Sequence, residues 1–212
     1  MEPTKKWYNE CMAHDLVETL NKKGYDGIYA ATAEEARQKV SEILTEGATV
    51  ATGGSVTLNE THIFEDITSG KYQFIERYKQ PSFEVICDKY REGFFADFFV
   101  TSSNAITKDG ELVNMDCTGN RTGCIAFGPK KVIIIIGTNK IVDDIGEGIK
   151  RCKQVAIMNA KRIKHTVPCN EDAVCHDCDR QLRVCNVTSI VHNCYKFPKR
   201  ISVIVVPEEL GY

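Results

Sequence analysis

With 212 residues, 42% of them hydrophobic and 26% charged, the chain has an ordinary globular composition and is long enough to bury a core without staples. A formal net charge of -2 gives no electrostatic basis for binding nucleic acid or an anionic membrane surface. The leading MEPTKKWYNECMAHD has no signal-peptide core, and the longest apolar run, 132–136, is far too short to span a bilayer. These features predict one domain over 1–212, a cytoplasmic location, and neither nucleic acid nor membrane as a partner.

Residues 5–23 place Trp7, Tyr8, Cys11, Met12, Leu16 and Leu20 at helical spacing, with Gly24 as a stop. Residues 26–30 read as a short strand. Thr32 and Glu35 form a capping box for a helix with Ala36, Val40, Ile43 and Leu44 on its apolar face, ended by Gly47. A buried strand over 48–52 runs into the turn Gly53-Gly54-Ser55. Leu58, Ile63, Phe64 and Ile67 then predict a helix to about Ser69. A further helix is expected over 82–92, with Phe83, Ile86, Cys87 and Tyr90 on one side. After a strand at 98–101, the turn Lys108-Asp109-Gly110 leads into 111–115 as in a hairpin. Residues 123–127 and 131–136 read as two strands split by a Gly-Pro turn, 143–162 as a long helix and 201–206 as a last strand. This alternation predicts an α/β fold, helices layered on a mainly parallel sheet that the hairpin makes mixed.

Polar loops follow several of these strands, where open α/β sheets bind ligands. They are Gly53-Gly54-Ser55 with Thr57, Asn59 and Glu60 behind it, Ser102-Ser103-Asn104, the stretch from Asp116 through Cys117, Thr118, Gly119 and Asn120 to Arg121, and Gly137 to Asn139 and Lys140. Glycines let backbone N–H groups approach an anion at a helix start; the plainer reading is a tight turn with Ser55 as N-cap. Neither a GxGxxG nor a GxxxxGK[ST] pattern is present. Arg121 offers a planar fork for carboxylate or phosphate, or else pairs with Asp116 or Glu60. Lys140 is read either as a charged partner of the ligand or as a solvated surface lysine.

Ten cysteines are many for a chain without a disulfide framework, and five fall between 169 and 194. Cys169, Cys175, Cys178 and Cys185 follow a C-x5-C-x2-C-x6-C spacing within the aperiodic segment 164–197. Four thiolates there suit a metal, as structural zinc or an iron–sulfur cluster, with Cys194 as a spare ligand and His176 as a further candidate. The alternatives are free thiols in a loop and a redox CxxC pair.

GGSVTLNE, SSNAITKDGELVNMDCTGNR, FGPKKVIIIIGTNKIV, the PC…C-x-x-C…RVCN cluster and EELGY together resemble the lactate-utilisation (LUD) domain family, over roughly residues 16–212. The resemblance implies a fold like that of ribose-5-phosphate isomerase, glucosamine-6-phosphate deaminase and the CoA-transferases. It implies ligand binding by Gly53, Gly54, Ser55, Thr57, Asn59, Asn104, Thr118, Gly119, Asn120, Arg121, Asn139 and Lys140, with Glu60 and Asp116 as the carboxylates of the site. Cys117 stands where the family pattern leads one to expect a small residue, and Cys124 is near it. Through its better-known members the resemblance also favours a [4Fe–4S] cluster over zinc.

Three functions are consistent with these residues. One is an iron–sulfur protein of organic-acid metabolism that binds a small anionic substrate in the GGS/TGNR pocket. Another is an isomerase, transferase or hydrolase of sugar phosphates or CoA esters, with Glu60 or Asp116 as base or nucleophile and a structural zinc. The third is a non-catalytic subunit docked on an iron–sulfur oxidoreductase. A homodimer is a further partner expectation.

Overall fold

The computed structural model describes residues 2–212. Its elements in chain order are α1 (Pro3–Lys22), β1 (Asp26–Tyr29), α2 (Ala33–Ile43), β2 (Thr49–Thr52), α3 (Val56–Glu60), α4 (Ile63–Ile67), β3 (Gln73–Phe74), α5 (Phe83–Glu92), β4 (Phe98–Thr101), β5 (Ala105–Thr107), β6 (Leu112–Asp116), α6 (Asn120–Ala126), β7 (Lys131–Gly137), β8 (Ile141–Val142), α7 (Ile145–Arg162), α8 (Cys169–Asp172), β9 (Val187–Val191) and β10 (Ile201–Val206).

Lys-Val-Ile-Ile-Ile-Ile-Gly of β7 is apolar on both faces, so it needs cover on both. The fold supplies it. Val132, Ile134 and Ile136 pack with Leu16 and Leu20 of α1 and Ile125 of α6. Ile133 and Ile135 pack on the opposite face with Val40 of α2, Leu58 of α3 and Ile63 and Ile67 of α4. The four isoleucines are 0% exposed, and burying each contributes roughly 1.5–3 kcal/mol. The sheet around them has the order β1-β10-β7-β4-β2-β3, with every pairing parallel.

The expected mixed sheet is therefore corrected. The Lys108-Asp109-Gly110 hairpin joins β5 to β6 in a separate sheet, β8-β5-β6-β9, because the chain turns out of the main sheet at Ser102-Ser103-Asn104. There Ser103 Oγ donates to the Ala105 carbonyl at 2.8 Å, and the Asn104 N–H donates to Asn114 Oδ1 at 3.1 Å. Helix α7 lies on this second sheet, with Cys152, Ala156 and Ala160 against Val113 and Met115.

Other expectations shift as well. The helix expected up to Ser69 breaks at His62, whose φ of 57° separates α3 from α4. Residues 123–127 belong to helix α6 and the turn after it, not to a strand; four apolar residues are too few for their period to tell the two apart. Trp7 and Tyr8 are exposed, and α1 buries Ala13, Leu16 and Leu20 instead. The segment 164–197 contains strand β9. Among the described residues no helix is long and apolar enough to cross a membrane.

Candidate functional site

Because the main-sheet strands are parallel, their carboxyl ends share one edge. Residues 53–55 leave β2 there, 102–104 leave β4, 138–140 leave β7 and 207–212 leave β10. Residues 117–119 approach from β6, and the last turn of α7 closes the side. Between them lies a cavity of about 270 Å³.

The two glycines have different physical reasons. A Cβ on Gly53 would lie 2.7 Å from Thr101 Oγ1 and 2.8 Å from Arg121 Cδ, so Gly53 permits close packing. A Cβ on Gly54 would meet only the Nη2 atoms of Arg77, at 3.4 Å, and Arg162, at 3.8 Å. Two guanidinium groups thus converge over bare backbone. Ser55 caps α3, accepting from the Leu58 N–H at 3.3 Å, but α3 has only five residues. The converging side chains, more than a helix dipole, make this corner positive.

Arg121 is 8% exposed, and both of its Nη nitrogens are engaged by protein acceptors. It donates to the Ser102 carbonyl at 3.2 Å, Asn104 Oδ1 at 2.6 Å, the Met115 carbonyl at 3.0 Å and Asn114 Oδ1. It also pairs with Asp116 Oδ1 at 2.6 Å. Of the two partners open from sequence, Asp116 is the one it takes. The other Asp116 oxygen accepts from the Thr122 N–H at 2.7 Å, which fixes the start of α6. Both oxygens are thus engaged, and the pair ties three loops together.

Lys140 is 4% exposed and not a surface lysine. Its Nζ donates to Thr57 Oγ1 at 2.7 Å and Ser102 Oγ at 2.8 Å. Burial, with the nearby charges of Arg151 and Arg121, pushes its amine down to about 7. Arg151 organises the same edge, donating to the carbonyls of Asn104 at 2.7 Å, Asn139 at 3.1 Å and Tyr212 at 2.7 Å.

Of the residues singled out in the sequence, Gly54, Ser55, Thr57, Asn104, Asp116, Thr118, Asn120, Arg121 and Lys140 line the cavity. Gly53, Asn59, Glu60, Gly119 and Asn139 do not. Glu60 is exposed and accepts from the Gly211 N–H at 2.5 Å. Asn139 Oδ1 accepts from the Leu210 N–H at 3.1 Å. Gly119 adopts φ 82° at the start of α6. Sequence reasoning passed over Arg77, Arg162, Tyr90, Asn159 and His165, all of which line the cavity. Arg77 sits against the rings of Tyr78 and Tyr90, 4.2 and 5.4 Å from their centroids. Arg162 donates to Asn159 Oδ1 at 2.6 Å.

A family model described as the LUD domain matches residues 13–206. The chain belongs to the LUD domain family. A crystal structure of a DUF162 family protein from Deinococcus radiodurans superposes on this LUD domain with a TM-score of 0.54 at 15% sequence identity, covering 93% of this chain and 98% of that one. That likeness shows the shared α/β fold. Among curated proteins nothing matches the chain.

The cysteine segment of this LUD domain lies beside the cavity. Cys169, Cys175, Cys178 and Cys185 line a second, smaller cavity of about 20 Å³ with His176 and Arg183. Ala156 and Val184 line both cavities. The four thiols match a metal site in kind but not in arrangement. Among the described residues no group of three or more His, Cys, Asp or Glu side chains is set to hold a metal ion. Cys185 Sγ accepts from Arg183 Nε at 3.1 Å. His176 Nε2 contacts Asp172 Oδ2 at 2.9 Å. Cys194 is buried elsewhere, donating to the Phe197 carbonyl at 2.9 Å. Cys117 lines the large cavity, donates to the Arg183 carbonyl at 3.4 Å, and has its thiol pushed up by burial. Burial pushes Cys124 up to about 12 and leaves it without nucleophilic character.

Proposed function

We propose that this LUD domain binds a small organic-acid anion, a carboxylate of the lactate class, in the cavity at the strand ends, and serves organic-acid metabolism. One observation carries the reading. Arg77, Arg121, Lys140 and Arg162 line the cavity, and Asp116, already paired with Arg121, is the carboxylate among its lining residues. Among the described residues no carboxylate forms an ion pair with Lys140, Arg77 or Arg162. Arg162 is exposed and Arg77 half-buried, so Lys140 is the buried cation of the three; a buried charge is ordinarily paired, and an anion in the cavity would pair it. Arg77 and Arg162 would hold it over Gly54, with Lys140, Thr57 and Ser102 beneath. Asp116 and Arg121 shape the floor.

Titration calorimetry with L-lactate, pyruvate, inorganic phosphate and ribose 5-phosphate tests this. Lactate or pyruvate should bind, and Arg77→Ala and Arg162→Ala should each weaken binding about tenfold or more, the usual cost of a charged hydrogen bond. A cavity of about 270 Å³ also admits a sugar phosphate. Preference for ribose 5-phosphate would move the reading to the isomerase or transferase class, and no binding of any anion would end it.

The cysteine segment enters the proposal separately. Four thiols around one cavity would hold a [4Fe–4S] cluster, or zinc, once the Arg183–Cys185 contact opens. Anaerobic purification with metal analysis decides: about four irons per chain with matching sulfide, or about one zinc. Oxidation of a hydroxy acid needs an electron acceptor, and an iron–sulfur oxidoreductase subunit is the partner this reading names for that role.

A further inference from the structure

Lys140 has a use beyond that of a counter-ion. It is buried between two hydroxyls, and burial together with the charges of Arg151 and Arg121 outweighs the opposing pull of the Glu60 carboxylate. Both effects favour the neutral amine, whose free lone pair is what makes a lysine a nucleophile. The C-terminal backbone packs closely against Lys140. Gly211 has φ 64°, and a Cβ there would lie 2.5 Å from Thr57 Oγ1 and 3.3 Å from Lys140 Nζ. Lys140, Thr57 and Ser102 all line the cavity that Arg77 and Arg162 make positive.

We propose that the Lys140 amine forms an imine with the carbonyl carbon of a 2-oxo acid whose carboxylate is held by the cavity's arginines. This rests on the carboxylate reading of the site and adds a substrate class and a covalent step. The Nζ lone pair attacks the carbonyl carbon, and the C=O π pair moves to oxygen. A proton passes from nitrogen to that oxygen, giving a carbinolamine. The nitrogen lone pair then expels the hydroxyl group, which takes the second proton of the nitrogen and leaves as water, and a C=N bond remains. No oxidant, reductant or further reactant is consumed. The Thr57 and Ser102 hydroxyls, at 2.7 and 2.8 Å from Nζ, are placed to relay both protons. An iminium carbon draws electrons from its neighbours, so the reactions it serves break a C–H or C–C bond next to a carbonyl.

The test incubates the full-length protein with pyruvate and sodium cyanoborohydride, then maps adducts by peptide mass spectrometry. Reduction of the imine adds the mass of pyruvic acid less one oxygen. The expected result is a single saturable adduct on the peptide carrying Lys140, suppressed by excess L-lactate, which has a hydroxyl in place of the ketone. Lys140→Met should lose it while other lysines keep their background; the wild-type map stands even if that variant misfolds. Calorimetry on the same sample separates the two readings. Pyruvate that binds but leaves no adduct on Lys140 overturns the imine and spares the anion pocket. Absence of both binding and adduct overturns both. Adducts spread over exposed lysines at or above the level at Lys140 also overturn it.

Discussion

Replacing Asp116 with alanine should damage the fold before it damages any chemistry. The Asp116 and Arg121 side chains are 6% and 10% exposed, and the ion pair between them is 2.6 Å long. Removing one partner of a buried pair costs about 3–5 kcal/mol, because the other charge is left without its counter-ion. Arg121 would keep the carbonyls of Ser102 and Met115 and the amide oxygens of Asn104 and Asn114, which places the loss near the lower end. The Thr122 N–H would also lose its acceptor at the start of α6, about 1 kcal/mol more. The sum is about 4 kcal/mol, a drop in Tm on the order of 10 °C for a chain of this size. Urea denaturation followed by circular dichroism measures it. Asp116→Ala/Arg121→Met should recover part of the loss, since no buried charge is then stranded. A single variant within about 1 kcal/mol of wild type would refute this account and return Asp116 to the role of a free carboxylate base.

Lys140 makes stability depend on pH. Its amine sits at about 7 when folded and in the ordinary lysine range when unfolded. Between those values the unfolded chain holds the extra proton, so stability should rise with pH, by up to about 1.4 kcal/mol per unit. Lys140→Met should flatten that slope in denaturation curves taken across the range. Anion affinity should run the other way, weakening above about pH 7 as the amine loses its proton, which calorimetry at several pH values reads directly. Gly54→Ala should place a methyl under Arg77 and Arg162 and weaken anion binding about tenfold or more with little change in Tm; unchanged affinity would remove Gly54 from the site. Glu60→Gln should leave anion binding within about twofold, because Glu60 is exposed and does not line the cavity, and should instead speed hydrogen exchange at the Gly211 amide.

What could be read from the sequence was local. The β-branched run of β7 needs two covered faces and says so by composition. Thr32, Ser82 and Asp144 each accept from the N–H three residues on, a signal legible as spacing. The Asp109-Gly110 turn announced the hairpin, but the strand leading into it, Ala105–Thr107, has only three residues and gave no pattern. Ligand loops were recognisable because polar residues after strands stand out. Their roles were not, since these depend on distance between residues far apart in the chain. Arg77 falls in an aperiodic stretch, and Arg162 ends a helix where a basic residue is unremarkable; only the fold brings them over Gly54. The same holds for Arg121, which looks like a ligand fork in sequence and proves to be a tie between loops. Burial likewise separates the two readings of Lys140, and burial is a property of the assembled molecule.

Ala156 and Val184 face the arginine-lined cavity on one side and the thiol-lined cavity on the other. Two compartments with common walls are thermodynamically linked whenever filling one moves the wall. Any factor by which a bound anion tightens or loosens what the thiols hold must be returned, equal in size, by the thiols' occupant acting on the anion. Titrations of this LUD domain with either ligand therefore have a defined meaning only when the state of the opposite compartment is stated, and preparations that differ in the oxidation of four cysteines are, for this purpose, different proteins.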